Sequence, residues 1–567
     1  MTSTARSYVV AALIGPWLSL FTGPAVLLAD ESPCAYQGLL PGTATIEDVT
    51  ATLGPPPIDT RGDRDFRYPV NGRPHLNDRL YFRDGKLALV TAASPDPRYG
   101  NRAAIEKSLG EPEAEVRFQT QEYLDYTESG LRFICRASGE TTGILYFQPQ
   151  RRRVPAGYPN RLINLRRDHH RLPPHQAPED FRVGAAAVNI SPPTLEGLTA
   201  QPAEGLHVAE DLFARAVVFE NGDQRIVLVG LDVFGLGLHD VDRLRASLAQ
   251  HGLTQVVVAM SHTHANVDTI GFYGHYPSEY VQFILRQTEQ AVLDAASSAK
   301  PVRELRIGSV EMPLDGGRVV DLIRNGRDPG LVDPTVSLIR AVDLEGQPIV
   351  NVIHLACHPE VIDLDDELGL SPDFVGALCR DVSEQLGGEC VFLNGSLGGM
   401  LTPDARFRSQ AAAEEMGHRL ARFVVQAAED ALPSSTYDLW MHRRPVQYPI
   451  TGESVRIFLE NAPWPVELID GRVSTEMNAL WIGDAQLITV PGELLPDIGF
   501  EIMSQMPGRL RLIVGLANGE LGYLVPSFDF RDGHYEERTG PGAAGGEITR
   551  SVGLELAPLL PPGKQPD

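Results

Sequence analysis

Apolar positions in the first third of the chain follow the pattern of short helices, each succeeded by strand-like runs. In Ile46-Glu-Asp-Val-Thr-Ala-Thr-Leu-Gly54 they fall on one helical face, and Gly54 followed by Pro55 and Pro56 stops the helix. Ala104-Ile-Glu-Lys-Ser-Leu-Gly110, with Glu111-Pro112 next, repeats that pattern. The first half then offers strands at Arg79–Arg83 and Lys86–Thr91; the second offers Glu122–Tyr126, Leu131–Cys135 and Gly143–Phe147. Residues 36–150 therefore predict a small α+β module with an internal repeat.

Residues 151–182 break the periodicity. They are rich in Arg, Pro and His (Arg166-Arg-Asp-His-His170) and read as a basic linker over the domain surface, their histidines solvated. From Val183 short apolar runs (Ala216-Val-Val-Phe219, Arg225–Gly230, Gln255–Ala259) alternate with helical stretches at Asp242–Ala249 and Tyr280–Ser298. Continuous apolar runs indicate strands buried on both faces, so residues 183–555 predict an α/β domain with a large mixed sheet. Residues 556–567 read as a loose tail.

Composition adds exclusions and an address. The net charge of −25 argues against a nucleic-acid partner, which requires clustered Lys and Arg. Arg6 precedes the uncharged apolar stretch Tyr8–Leu28, and Ala29 stands before Asp30 and Glu31. Residues 1–29 thus predict a signal peptide and export; an uncleaved N-terminal anchor is the alternative, since about 21 apolar residues just span a bilayer. Five cysteines are too few for a disulfide framework: Cys34 and Cys135 are expected as a candidate pair, and Cys357, Cys379 and Cys390 as small buried hydrophobes.

Four strand-end segments carry metal-competent side chains. Val256-Val-Val-Ala-Met-Ser-His262-Thr-His264 places two histidines two apart, on one face if the segment stays extended. Val352-Ile-His354-Leu-Ala-Cys-His358-Pro-Glu offers His358 as a ligand, with His354 inside the run as a core histidine. Leu487-Ile-Thr-Val-Pro-Gly-Glu493 delivers a carboxylate after a Pro-Gly turn, and Leu512–Tyr523 brings a tyrosine through Gly519 and Gly522.

In this order, together with Val183-Gly-Ala-Ala-Ala-Val-Asn-Ile-Ser-Pro-Pro193, Ala214–Gly222 and Gly533-His-Tyr-Glu536, these motifs resemble the neutral, non-lysosomal ceramidase family over about residues 183–551. The resemblance implies one zinc per chain held by His262, His358, Glu493 and Tyr523, with His264 beside it facing a substrate carbonyl. It also implies an arginine that places the substrate, Arg324 or else Arg327. Other divalent ions suit such N/O ligands too. The implied activity is hydrolysis of the amide of an N-acylated, ceramide-like lipid by metal-activated water.

Three departures qualify that expectation. Ala265-Asn-Val-Asp-Thr269 follows the His-x-His where the family has Ser-Gly-Pro-Gly. In Asn394-Gly-Ser396-Leu-Gly-Gly399-Met-Leu-Thr402-Pro-Asp404, Gly399 replaces an acid and Thr402 stands where the family's serine would, with Ser396 out of register. No immunoglobulin-like domain is expected after Glu536. A zinc hydrolase of another amide or ester, or an inactive envelope scaffold, is therefore the alternative. Leu40-Pro-Gly-Thr43 and Leu53-Gly-Pro55 resemble outer-membrane-assembly lipoprotein modules, which implies membrane-surface or envelope-protein contact through residues 36–150.

Overall fold

The computed structural model describes residues 32–564 except 57, 60–64, 71–72, 84, 94–95, 119–120, 137, 150–175, 202–203, 315–317, 320, 328–330, 365–368, 407, 463–465, 467 and 532–533. The leader, His169 and His170 of the linker, and Gly533 lie outside the described residues.

The internal repeat is real at atomic detail. Each half is one helix, Ile46–Leu53 or Arg102–Leu109, followed by four antiparallel strands, and the halves join through Lys86–Ala92 and Thr141–Phe147 into one eight-stranded sheet. Thr45 caps the first helix through a reciprocal bond with Asp48, and Asn101 caps the second by accepting from the Ala104 N–H. Four residues past each cap, Val49 and Ile105 are fully buried in the same core. A tyrosine from each meander donates to the glycine that ends each helix: Tyr68 to the Gly54 carbonyl at 2.9 Å, Tyr126 to that of Gly110 at 2.8 Å.

The module's sheet buries its other face too. Tyr81, Leu89, Leu145 and Phe147 form a second apolar patch, and Tyr81 and Arg79 reach His534 of the large domain at 3.0 and 3.2 Å. Cys34 and Cys135 are both buried free thiols, so the pair expected from sequence does not form; Cys135 instead lies 3.8 Å from the Thr141 hydroxyl. The close thiol pair is Cys379 and Cys390, at 2.8 Å.

The large domain stacks four layers. A nine-stranded mixed sheet contains Phe181–Asn189, Phe213–Asn221, Gln224–Leu231, Val256–Met260 and Pro348–Leu355. Its outer face packs on helices that include Leu238–Ala249, Ser278–Ser297 and Gln410–Glu429. Its inner face packs on a five-stranded sheet containing Arg472–Ile482, Ala485–Thr489 and Leu510–Val514. Pro496–Gln505 and Ala544–Leu556 cover the far side of that second sheet. The apolar runs follow directly: Val256 and Val258 face the helices while Val257 and Ala259 face the second sheet, so every position must be apolar. Among the described residues, no helix is long and apolar enough to cross a membrane.

Candidate metal centre

The four motif segments leave the ends of the strands Val256–Met260, Pro348–Leu355, Ala485–Thr489 and Leu510–Val514 and converge where the two sheets meet. Backbone staples hold that seam. Asn518 donates its N–H to the Val258 carbonyl at 2.7 Å, and its Oδ1 accepts from the Val258 N–H at 2.9 Å, tying the second sheet's loop to the first sheet. Fully buried Asn394 donates to the carbonyls of Ser261 and Cys357, both at 2.9 Å, linking the loops that carry His262 and His358.

His262 and His264 do meet, ring centroids 5.0 Å apart, but strand pleating is not the reason. The strand ends at Met260, and His262 has left-handed backbone with φ 70°. Such a conformation costs a non-glycine residue on the order of 1–3 kcal/mol and persists where surroundings fix it. Here the His262 N–H is bound by the Val233 carbonyl at 3.0 Å, its Nδ1 donates to the Phe234 carbonyl at 2.7 Å, and its ring stacks on Phe234 at 4.6 Å. That bond leaves the Nε2 lone pair pointing inward, 3.8 Å from Glu493 Oε1.

His358 is set the same way. Its Nδ1 donates to the Leu401 carbonyl at 2.9 Å, and Nε2 faces Glu493 Oε2 at 2.8 Å and the Tyr523 hydroxyl at 3.3 Å. Glu493 and Tyr523 are partners in a two-residue parallel ladder, which delivers carboxylate and phenol side by side. The ligand nitrogens of His262, His264 and His358 lie within 4.8 Å of one another.

Burial keeps His262 and His264 neutral, with pKa values pushed down to about 3. Burial opposes a charge on His358 as well, but its hydrogen bond to Glu493, the charges of Glu360 and Glu493 and the Leu401 carbonyl together outweigh that and lift it to about 9. Burial and the charge of Glu493 push the Tyr523 phenol well up, so it is a hydrogen-bond donor at neutral pH. His264 Nε2 is buried without a hydrogen-bond partner, and its Nδ1 lies 3.9 Å from Glu360.

The remaining sequence candidates lie elsewhere. His354 donates from Nε2 to the Ile513 carbonyl inside the core, as its place in the apolar run implied. Arg324 pairs with Thr402 in a two-stranded ribbon, its side chain exposed. Arg327 is buried and consumed by carboxylates: Asp529 at 2.9 Å, Glu536 at 3.1 Å and Glu537 at 2.6 Å. Ser396 lies beneath helix Pro496–Gln505, where a Cβ on Gly499 would meet its hydroxyl at 2.3 Å. The Gly-rich loop has a packing reason, since a Cβ on Gly398 would lie 2.5 Å from the Glu493 carbonyl oxygen. None of Arg324, Arg327, Ser396 or Thr402 lines the pocket over the histidines.

That pocket spans about 600 Å³ of empty space, part of it open solvent. His262, His264, Glu493 and Tyr523 form its polar end, and Ile270, Phe272, Val455, Phe458, Leu459 and Leu521 form an apolar wall. Sequence reasoning missed Phe234, Glu360, Asn394, Glu520 and Tyr535. Glu360, Asn394, Glu520 and Tyr535 stood inside the motifs without a role assigned, whereas Phe234 stood outside them and matters through its contact with His262.

No family model and no curated protein matches the sequence. Among solved structures, the neutral ceramidase from Pseudomonas aeruginosa superposes with TM-score 0.55 at 16% identity, over 67% of this chain and 74% of that one. A ceramidase complexed with C2 gives TM-score 0.55 at 17% identity, over 67% and 75%. At the level of backbone architecture, this chain has the fold of the neutral ceramidases.

Proposed function

We propose that the protein is a zinc-dependent amidohydrolase that cleaves an N-acylated, lipid-like amide. The observation that carries this reading is the convergence of His262, His264, His358, Glu493 and Tyr523 at the polar end of an apolar-walled pocket. The donor set fits zinc, which favours imidazole nitrogen with a carboxylate or other oxygen donor and would displace the Nε2 proton that His358 carries without it. His262, His358, Glu493 and Tyr523 would hold one ion per chain. Bound there, zinc supplies Lewis acidity towards the amide carbonyl and lowers a water's pKa towards about 7.

The chain's own residues do the rest. The carbonyls of Phe234 and Leu401 fix the tautomers that turn Nε2 of His262 and His358 inward. The apolar wall takes the acyl chain and keeps bulk water from the reacting centre. His264, neutral and with Nε2 open, accepts a proton from the attacking water and returns it to the departing amine nitrogen. Glu360, near its Nδ1, steadies the imidazolium that forms between those steps. Export through residues 1–29 belongs to the same proposal, and N-terminal sequencing of the mature protein tests it: a start at Asp30 supports cleavage, and a retained Met1 supports an anchor.

Metal analysis of the purified protein, with a panel of N-acyl amides and esters, tests the function. About one zinc per chain, lost in His262→Ala together with amide turnover, is the expected result. Full turnover by metal-free protein would overturn the mechanism, and turnover of esters alone would overturn the substrate class.

A further inference from the structure

The pocket holds a carboxyl group that the proposed chemistry does not use. Glu520 lines the same wall as His262, His264 and Glu493, in the loop between strand Leu510–Val514 and Tyr523. Its Oε1 accepts from the Gly522 N–H at 2.7 Å. The residue keeps some exposure, yet its Oε2 is shut off from solvent and has no hydrogen-bond partner.

The loop cannot easily swing this group away. Asn518 is clamped on both sides of the Val258 peptide unit, with left-handed backbone at φ 66°. A Cβ on Gly519 would meet Leu238 at 2.3 Å, and one on Gly522 would meet the Thr539 carbonyl oxygen at 1.7 Å, so the backbone lies hard against its surroundings on either side of Glu520. Leaving a buried polar atom unpaired costs on the order of 1–3 kcal/mol, and more for a charge. A fixed, unpaired acceptor in a largely apolar pocket is how a protein recognises a donor it does not itself supply.

We propose that Glu520 is a substrate-recognition residue that accepts a hydrogen bond from a hydroxyl or ammonium group close to the scissile amide. The substrate class narrows accordingly, to an N-acyl amide whose polar part carries a second donor while its chain lies along Ile270, Phe272, Phe458 and Leu459. This rests on the amidohydrolase reading.

The test uses zinc-loaded full-length wild-type, Glu520→Leu and Glu520→Gln proteins. Three N-acyl amides share one acyl chain and differ in the amine part: a plain alkylamine, a 2-amino alcohol and a diamine with a free ammonium. Wild type should favour a donor-bearing substrate in kcat/KM by on the order of 10-fold or more, because a site that pairs a donor discriminates against its absence. Glu520→Leu should bring the ratio near one with zinc retained. Glu520→Gln, which keeps an acceptor without the charge, should spare a hydroxyl preference and abolish an ammonium preference, which tells the two donors apart. An unchanged ratio in Glu520→Leu overturns the proposal, and so does loss of zinc, which would make Glu520 a ligand. Calorimetric binding of dodecylammonium, 1,2-dodecanediol and dodecyl methyl ether reads the subsite without turnover. If no amide is hydrolysed but Glu520→Leu still removes the preference for the donor-bearing amphiphiles, the subsite stands and only the amidohydrolase reading fails. Equal binding of all three by wild type overturns the subsite.

Discussion

Two buried polar clusters lie near each other in the large domain, and they are built on opposite principles. Around Arg327, one guanidinium meets Asp529, Glu536 and Glu537, and Arg531 adds a second cation 2.9 Å from Asp529. Every partner is supplied by the chain, and the result is a knot: Arg327 also donates its backbone N–H to the Gly399 carbonyl, joining the Gly-rich loop to the segment that carries Tyr535. Around His262, by contrast, His358, Glu493 and Tyr523 bond to one another but other groups are left incomplete. His264 Nε2 and Glu520 Oε2 have no partner, His262 Nε2 has only a distant carboxylate, and all of them face a pocket. A buried cluster that satisfies itself stabilises the fold, whereas one that leaves atoms open awaits a ligand.

Substitutions can break that contrast. The largest effect is expected at His262→Ala: zinc lost and turnover down by about 1000-fold or more, roughly 4 kcal/mol of barrier, with little change in the denaturation midpoint of metal-free protein. A metal-free midpoint that collapsed would make the histidine cluster structural like its neighbour. Arg327→Met should do the reverse. It removes the cation shared by three buried carboxylates and leaves only Asp529 with a second one, Arg531, so unfolding stability should fall by about 3–5 kcal/mol in a denaturant titration, while the folded fraction still binds zinc. Wild-type stability in that variant would refute the knot.

His264→Gln sharpens the comparison inside the site. Losing a proton carrier without losing a ligand should lower kcat by about 100-fold or more with zinc content unchanged; loss of zinc would move His264 into the ligand set. The knot also sets a pH dependence. Burial opposes the charge of Asp529, but Arg531 and Arg327 outweigh it and hold its carboxyl well below the usual carboxylate range. A depressed acid contributes stability above its unfolded pKa and loses it as pH falls. Stability should therefore decline as pH drops below about 4, and the decline should be shallower in Asp529→Asn. The smallest effect is expected at Thr402→Val, a change of less than about threefold in kcat/KM, under 1 kcal/mol; a hundredfold loss would give the Thr402 hydroxyl a part in the chemistry.

Much of this was legible beforehand. The paired Gly-Pro helix stops announced a repeat because a helix end is decided locally, by backbone freedom and a missing N–H, and Gly54 and Gly110 both end helices as read. The runs at Val217, Leu228 and Val257 announced strands buried on both faces, and the two sheets prove it. His354 and His358 were told apart by position alone, since one lies inside a strand and the other beyond its end. What could not be read in the sequence shares one cause. The meeting of His262 and His264 depends on a left-handed turn fixed by Val233 and Phe234, and the pairing of Arg327 depends on carboxylates about 200 residues away. The candidate Cys34–Cys135 pair failed because sharing one core does not place two sulfurs in bonding geometry.

What the sequence determined by itself was whatever local rules decide: helix stops, strand periodicity, and which side chains are able to bind a metal at a strand's end. Tertiary structure decided the rest, because a site is made of distances between segments separated by up to 261 residues, His262 to Tyr523. Only the packed seam of two sheets shows which buried atoms are paired and which are left open.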